Sequence, residues 1–147
     1  MKGRLDHVGV IVADIVAARR LLEEVIGLEL KREHHSTEAR LDAAFLGFES
    51  GPDSGALVEV VELGDPAARG RRLGPDAVAR IEHIAIEVDD VEAVREELRA
   101  RGIEMQSDSP SITATTRSYF TRPETTCGIT LQFLDRRGDG RDLSTFP

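Results

Sequence analysis

An internal repeat constrains the fold of this chain more than any other feature of its sequence. The segment LDHVGVIVADIVAARRLLEEVIGLEL near the start resembles the segment IEHIAIEVDDVEAVREELRARGIEM near the middle. Aligning the two copies with one gap superimposes three pairs of residues: His7 on His83, Asp14 on Asp90, and Gly27 on Gly102. Self-similarity of this kind indicates that one supersecondary unit occurs twice. The chain is therefore predicted to contain two related modules.

Each copy of the repeat has the pattern of a strand followed by an amphipathic helix. Residues 5–12 and 81–88 are rich in Val and Ile, which favour strands. Apolar residues then recur at helical spacing between charged ones, after an aspartate in the N-cap position. A glycine, the usual helix terminator, follows each helix.

The remaining apolar runs complete each module. Further strands are predicted near 28–34, 41–47 and 57–62 in the first half, and near 103–105, 115–121 and 128–134 in the second. Each half then has the order β-α-β-β-β, which places the chain in the α+β class. We expect one domain, divided into module one (about 4–63), a polar connection (about 64–79), module two (about 80–135) and a polar tail (136–147).

Composition excludes several classes of function. The formal net charge of -8 argues against binding to nucleic acid or to an anionic membrane surface. No apolar run approaches the roughly 20 residues that span a bilayer, and the single cysteine, Cys127, is compatible with a reducing compartment. We therefore expect a cytoplasmic protein. Glycine-rich nucleotide-binding motifs and the serine-hydrolase elbow are absent from the sequence.

Two β-α-β-β-β modules, each with a histidine on its first strand, resemble the vicinal oxygen chelate superfamily, also called the glyoxalase and bleomycin-resistance fold. The resemblance covers roughly residues 4–135. It implies a curved, incomplete β-barrel around a divalent metal ion, with ligands from the first and last strand of each module. It also implies a homodimer, because proteins of this fold often form dimers.

The resemblance implies four metal ligands. The first strands supply His7 and His83. The segment ALVEVVEL is similar to the family's ligand strand and supplies Glu59; a shifted alignment of the same segment, which is less favoured, would supply Glu62 instead. The segment CGITLQFLD supplies Gln132, where a glutamate is usual. The separations of 52 residues in module one and 49 in module two support this pairing. Such a donor set suits Zn, Co, Ni, Mn or Fe.

Within the superfamily, the sequence looks most like methylmalonyl-CoA epimerases. The segments LDHVGVIVADI, IEHIAIEVDDVEAV and EARLDAAFL carry this similarity. It implies an epimerase or isomerase that removes a proton next to a carbonyl through a metal-stabilised enolate, on a small substrate such as methylmalonyl-CoA. By the same similarity, Glu38 is a candidate proton carrier.

One departure from the epimerase pattern concerns the catalytic base. The glutamate that usually occupies the position of Gln132 both binds metal and moves protons, whereas an amide cannot act as a base near neutral pH. Proton transfer must then fall to Glu59, Glu38 or Glu62. In other epimerases the ligand is commonly Gln in module one and Glu in module two, whereas this chain has Glu59 in module one and Gln132 in module two. The two residue types are exchanged between the modules, so the net charge of the ligand set is the same. The family's GxGxHH lead-in to His83 is also replaced, by GPDAVARIEH, which weakens the assignment of a CoA thioester.

Other functions of the same fold remain open. A glyoxalase-type lyase, or an epimerase of a keto sugar or secondary metabolite, would use the same ligands. A ring-cleaving dioxygenase is disfavoured because it needs a carboxylate at the position of Gln132. A metal-free binding or resistance protein is a third possibility. His34 and His35 are adjacent on a strand, point to opposite faces and are interpreted as surface residues.

Overall fold

The computed structural model describes residues 1–48 and 55–136, and the chain divides into two compact units. The first unit is His7–Glu82, and the second combines Met1–Asp6 with the chain from His83 onward. Apart from Arg136, the tail predicted at 136–147 lies outside the described residues.

The first module has the predicted order of elements. These are β1 (Gly3–Val12), α1 (Ile15–Arg20), β2 (Glu29–Ser36), β3 (Leu41–Gly47) and β4 (Leu57–Leu63). A π-helical segment, Leu21–Ile26, continues α1 as far as Gly27, which adopts a left-handed φ of 84°. The strand order is β2-β3-β4-β1, and all neighbours are antiparallel except the parallel pair β4 and β1.

The second module repeats this order. Its elements are β5 (Ala79–Val88), α3 (Val91–Ala100), β6 (Ser111–Ile112), β7 (Thr116–Phe120) and β8 (Leu131–Arg136). The strand order is β5-β8-β7-β6, with β5 and β8 parallel and the other neighbours antiparallel. The described residues thus confirm the α+β class and the two β-α-β-β-β modules. No helix among them is long and apolar enough to cross a membrane.

Both module helices begin at the aspartates predicted as N-caps. The Asp14 carboxylate accepts a hydrogen bond from the backbone N–H of Ala17 at 2.9 Å. The Asp90 carboxylate accepts from the N–H groups of Glu92 and Ala93 at 2.9 and 3.2 Å. Each aspartate satisfies N–H groups that have no partner within the helix, which fixes where the helix starts.

In each unit, the module's helix covers one face of its strands. In the first unit, α1 and the π-helical segment cover an apolar cluster of β-strand and loop residues: Val12, Leu28, Ala44, Leu46 and Val60. In the second unit, α3 packs on β5, β7 and β8 through a second cluster: Val88, Val91, Val94, Leu98, Tyr119 and Phe133. Because side chains alternate along a strand, the residues between these point to the opposite face, which carries the predicted ligands.

One prediction about local structure is wrong, and one helix was not predicted. No strand forms at 103–105: Met105 makes only an isolated bridge to Thr121, and the second strand of module two is the short β6. The predicted connection contains a helix, α2 (Pro66–Arg72). Asp65 accepts from the N–H of Ala68 at 2.8 Å, and a proline at the first helical position has the backbone angle that a helix needs.

Candidate metal centre

In the first unit, β1 and β4 bring His7 and Glu59 together. The two strands are parallel, and Gly9, two residues after His7, is directly opposite Glu59. The Nε2 atom of His7 lies 3.3 Å from Oε2 of Glu59, and the side chains are only 4% and 14% exposed. An imidazole and a carboxylate in this arrangement form the first pair of candidate ligands.

Phe45 on β3 completes the surroundings of the first pair. It is directly opposite Glu59 in the antiparallel pairing of β3 and β4. The centroid of its ring lies 5.2 Å from that of His7, and the ring planes are at 89°. This edge-to-face contact restricts the orientation of the imidazole.

The second unit repeats the arrangement with His83 and Gln132. Ala85, two residues after His83, is opposite Gln132 in the parallel pairing of β5 and β8, as Gly9 is opposite Glu59. Phe120 on β7 is in turn opposite Gln132, and its ring meets that of His83 edge-on, with centroids 5.5 Å apart and planes at 84°. His83 and Gln132 therefore form the second pair, in the same register as the first.

The carboxamide of Gln132 supports a role as a ligand. Its Oε1 atom is buried and accepts no hydrogen bond from any residue that the structure describes. A buried carbonyl oxygen in this condition is unfavourable by about 1–3 kcal/mol unless another partner satisfies it. Imidazole nitrogens and uncharged or carboxylate oxygens are donors that suit borderline divalent ions, so both pairs fit such an ion.

Glu62, the alternative candidate ligand on β4, forms hydrogen bonds on the opposite face of the sheet. Its Oε2 accepts from the N–H of Ile15, the first residue of α1, at 2.8 Å, and its Oε1 accepts from Arg69 at 2.9 Å. In the second unit Asp135 takes the same position, three residues after Gln132, and accepts from the N–H of Val91 at 3.1 Å. These two acids fix the start of a helix on the opposite face of the sheet.

Glu38 lies apart from the first pair. It is exposed in the turn at 37–40 between β2 and β3. Leu41, the first residue of β3, pairs with Leu63, four residues along β4 from Glu59. At about 3.3 Å per residue, the distance along β4 from Leu63 to Glu59 is about 13 Å. Glu38 lies beyond that end of the strands, in the turn that precedes Leu41. The structure does not bring Glu38 and Glu59 together, and a catalytic role for Glu38 stays a prediction.

A compensated group of charges lies on the same face of the second unit's sheet as His83 and Gln132. Arg4 donates two hydrogen bonds to the buried Glu87, at 2.8 and 2.6 Å. Arg136 pairs with Asp6, and its Nε lies 3.3 Å from Oε1 of Glu87. Burial lowers the pKa of the Arg136 guanidinium, but Asp6 and Glu87 outweigh this and raise it. These ion pairs give the far end of β8 a fixed position.

Sequence reasoning missed the two phenylalanines and correctly placed the surface histidines. Phe45 and Phe120 occupy matching positions in the repeat, on the strand next to the candidate oxygen ligand, and this match was the available signal. His34 and His35 are exposed, and Nδ1 of His35 lies 2.5 Å from Oδ1 of Asp42.

Comparison with known proteins identifies relatives of one kind. Residues 6–120 match the family model described as the glyoxalase/bleomycin resistance protein/dioxygenase superfamily. A Bacillus subtilis protein, YwbC, is 36% identical over 93 residues, and a lactoylglutathione lyase of Haemophilus influenzae is 31% identical over 97. The alignments cover 63% and 65% of this chain and 67% and 66% of the relatives, so the chain spans about two thirds of their length.

A structural comparison agrees on the fold. The crystal structure of methylmalonyl-CoA epimerase from Mycobacterium tuberculosis superimposes with a TM-score of 0.79 at 23% sequence identity. The superposition covers 92% of this chain and 89% of that one. At this level of identity, the likeness is one of fold.

Proposed function

Because this chain belongs to the glyoxalase/bleomycin resistance protein/dioxygenase superfamily, we propose that it is a divalent-metal-dependent epimerase or isomerase. It would remove a proton from the carbon next to a carbonyl and return it to the same or the neighbouring carbon. The observation that carries the proposal is the shared register of the two pairs, since an imidazole lies beside an oxygen donor at the same place in each module.

The proposed ligands are His7, Glu59, His83 and Gln132. The unsatisfied Oε1 of Gln132 supports its inclusion, because an ion would provide the missing partner. The donor set suits Zn, Co, Ni, Mn or Fe. When bound, such an ion supplies a Lewis acid for the negative charge that develops on the substrate's carbonyl oxygen.

We propose Glu59 as the residue that moves the proton. Its carboxylate can accept a proton near neutral pH, whereas the amide of Gln132 cannot. The side chain is 14% exposed, so it is accessible to a small substrate, and His7 at 3.3 Å restricts its orientation. Glu38 is the second candidate.

The proposed substrate is a small molecule with a carbonyl, such as the acyl-CoA thioester methylmalonyl-CoA. The structural neighbour from Mycobacterium tuberculosis, whose name gives it that substrate, supports this choice. A homodimer in the cytoplasm is part of the same proposal. The 31% identical lactoylglutathione lyase supports a second candidate, a glyoxalase-type lyase acting on a hemithioacetal.

The test is incorporation of deuterium from heavy water at the carbon next to the carbonyl. Wild-type protein loaded separately with each of the five metals is offered acyl-CoA thioesters, 2-keto sugars and a hemithioacetal. We expect metal-dependent exchange with one class of compound, which also separates the epimerase from the lyase. Glu59→Gln should keep the fold and much of the metal, yet slow exchange by about 10²-fold or more, because the base is lost.

Glu62→Gln is the matched control, since it makes the same change three residues along β4 on the opposite face, and it should exchange like wild type. Wild-type exchange by Glu59→Gln would contradict the assignment of the base, and Glu38→Gln would then be the variant to measure. Protein that purifies without metal and gains no thermal stability from any of the five ions would instead indicate a metal-free binding protein.

A further inference from the structure

An irregularity in β2 turns one arginine toward the face that carries the first pair. Leu30 pairs with Leu46, but the next paired residue on β2 is Arg32, opposite Phe45, so that Lys31 is an extra residue in the strand. Such a bulge reverses the alternation of side chains beyond it. Arg32 therefore points to the same side of the sheet as Phe45, whereas a regular strand would have placed Lys31 there.

Contacts within the first unit fix the position of the Arg32 side chain. The carbon at the centre of its guanidinium lies 3.7 Å from the centroid of the Phe45 ring, a cation–π contact. The edge-to-face contact of the same ring with His7 has a centroid distance of 5.2 Å. Taken together, these distances place the guanidinium within about 9 Å of the His7 ring.

Arg32 is also level with the proposed base. Arg32 is paired with Phe45, and Phe45 with Glu59, so the three residues lie side by side on consecutive strands. Neighbouring strands are about 4.8 Å apart, so the backbones at Arg32 and Glu59 are about 9.6 Å apart, and the Arg32 side chain crosses the first of these two spacings to reach the Phe45 ring. The half-buried Arg32 thus adds a permanent positive charge beside a pair that consists of an imidazole and a carboxylate.

We infer that Arg32 is a specificity-determining residue, which selects substrates that carry an anionic group a few bonds from the reacting carbonyl. The inference rests on the proposed function, because it assumes that the carbonyl binds at the first pair. A guanidinium offers a planar set of N–H donors that matches a carboxylate or a phosphate in a bidentate manner. Stacking on Phe45 holds that plane in place, which reduces the entropy lost when the anion binds.

The experiment compares matched anionic and neutral ligands on the full-length protein loaded with Zn. Monomethyl malonate and dimethyl malonate differ in one carboxylate, and dihydroxyacetone phosphate and dihydroxyacetone differ in one phosphate. Dissociation constants are measured by NMR titration for wild type, Arg32→Gln, Arg32→Lys and the control Lys31→Gln, which removes the same charge from the adjacent residue of the bulge.

In wild type we expect the anionic member of one pair to bind about tenfold or more tightly than its neutral partner, the ratio typical of a charge-assisted hydrogen bond. The pair with the larger ratio identifies the anion as carboxylate or phosphate. Arg32→Gln should remove the preference and leave the neutral ligand unchanged. Arg32→Lys should keep part of it, since a lysine provides charge without the planar donors, and Lys31→Gln should keep all of it.

An unchanged preference in Arg32→Gln would overturn the inference. Equal weakening of both members of a pair would also overturn it, because Arg32 would then act only by packing against Phe45. Deuterium exchange into saturating monomethyl malonate, measured above the rate without protein, keeps this result separate from the proposed function. If wild type prefers the anion but shows no exchange, the proposed reaction is contradicted and the anion site is supported. If wild type exchanges normally but shows no preference for the anion, the anion site is contradicted and the reaction is supported.

Discussion

Gln132 is the residue at which stability and proposed function oppose each other. Its buried Oε1 has no hydrogen-bond partner among the described residues, which destabilises the metal-free protein. If Gln132 is a ligand, the same atom becomes favourable when the ion binds. The conflict is local and can be measured with one substitution.

Gln132→Leu should therefore stabilise the metal-free protein and weaken metal binding. Removing the unsatisfied oxygen should raise the free energy of unfolding of the metal-free form by about 1 kcal/mol, and the gain in thermal stability on adding metal should shrink. Chemical denaturation with and without a chelator measures both effects. A variant that is less stable without metal would contradict the cost assigned to the unsatisfied oxygen, and one that gains as much from metal as wild type would show that Gln132 is not a ligand.

At the level of single residues, the sequence predicted two pairs, His7 with Glu59 and His83 with Gln132, and the strand register within each module agrees with that pairing. That these four residues bind one ion stays a prediction. The face to which Arg32 points could not be predicted, because it depends on a bulge in β2, and the segment ELKREHHS contains no glycine that would indicate one.

Among the secondary-structure elements, the starts of α1 and α3 share one design. An aspartate caps each helix, and an acid on the last strand of the module accepts the first N–H of the helix: Glu62 for Ile15 and Asp135 for Val91. These bonds tie each helix to the strand that carries a proposed ligand. They hold the sheet and its helix together without contacting the pairs.

Glu62→Ala should consequently lower stability without affecting the site. Loss of an acceptor at a helix start costs about 1 kcal/mol. The same change at Asp135 should cost more, since both acids pair with an arginine but only Asp135 is buried, so the partner Arg117 loses a buried carboxylate. Urea denaturation measures both losses, and metal content should stay at the wild-type level in Glu62→Ala. A loss of metal from Glu62→Ala would instead favour Glu62 as the ligand on β4.

Tyr119 links α3 to β7, and its ionisation makes the stability of the second unit depend on pH in alkaline solution. Burial first, and the hydrogen bond that its hydroxyl donates to Glu92 at 2.9 Å second, raise its pKa above the ordinary value of 10.0. The folded protein then holds the phenolic proton more strongly than the unfolded chain. This contribution to stability is complete below about pH 10 and is lost as the pH rises through the folded-state pKa.

Because the chain has one tyrosine and no tryptophan, ultraviolet absorbance reports the ionisation of Tyr119 directly. We expect a midpoint above 10.0 in the folded protein and an ordinary midpoint in urea. Glu92→Gln should keep the upward shift due to burial and lose the part due to the carboxylate. Equal midpoints in folded and unfolded protein would contradict the packing of α3 on β7.

The elements themselves were predictable where apolar periodicity was strong. Strands rich in Val and Ile, such as β1, β4 and β5, and the capped helices α1 and α3 were all anticipated. The helix α2 was missed because its basic, glycine-bounded segment suggested a loop, although Asp65 followed by proline is a helix-start signal. The two-residue β6 is too short to leave a periodic pattern.

At the scale of the whole molecule, the proposal is that one ion takes an imidazole and an oxygen ligand from each module of the repeat. An ion that binds the folded chain and not the unfolded one stabilises the fold. A metal present at 100 times its dissociation constant should raise the free energy of unfolding by about 2.7 kcal/mol. The melting temperature should therefore rise with metal concentration, and a chelator should reverse the change. A melting temperature independent of metal would contradict a shared ion.

The most direct test of the central claim is the number of metal ions bound per chain, measured by elemental analysis after equilibrium dialysis. The account predicts one ion per chain in wild type, and a loss of affinity of at least about tenfold in both His7→Ala and His83→Ala, because each removes one ligand of the same ion. Binding of two ions per chain, or wild-type affinity in either variant, would contradict it.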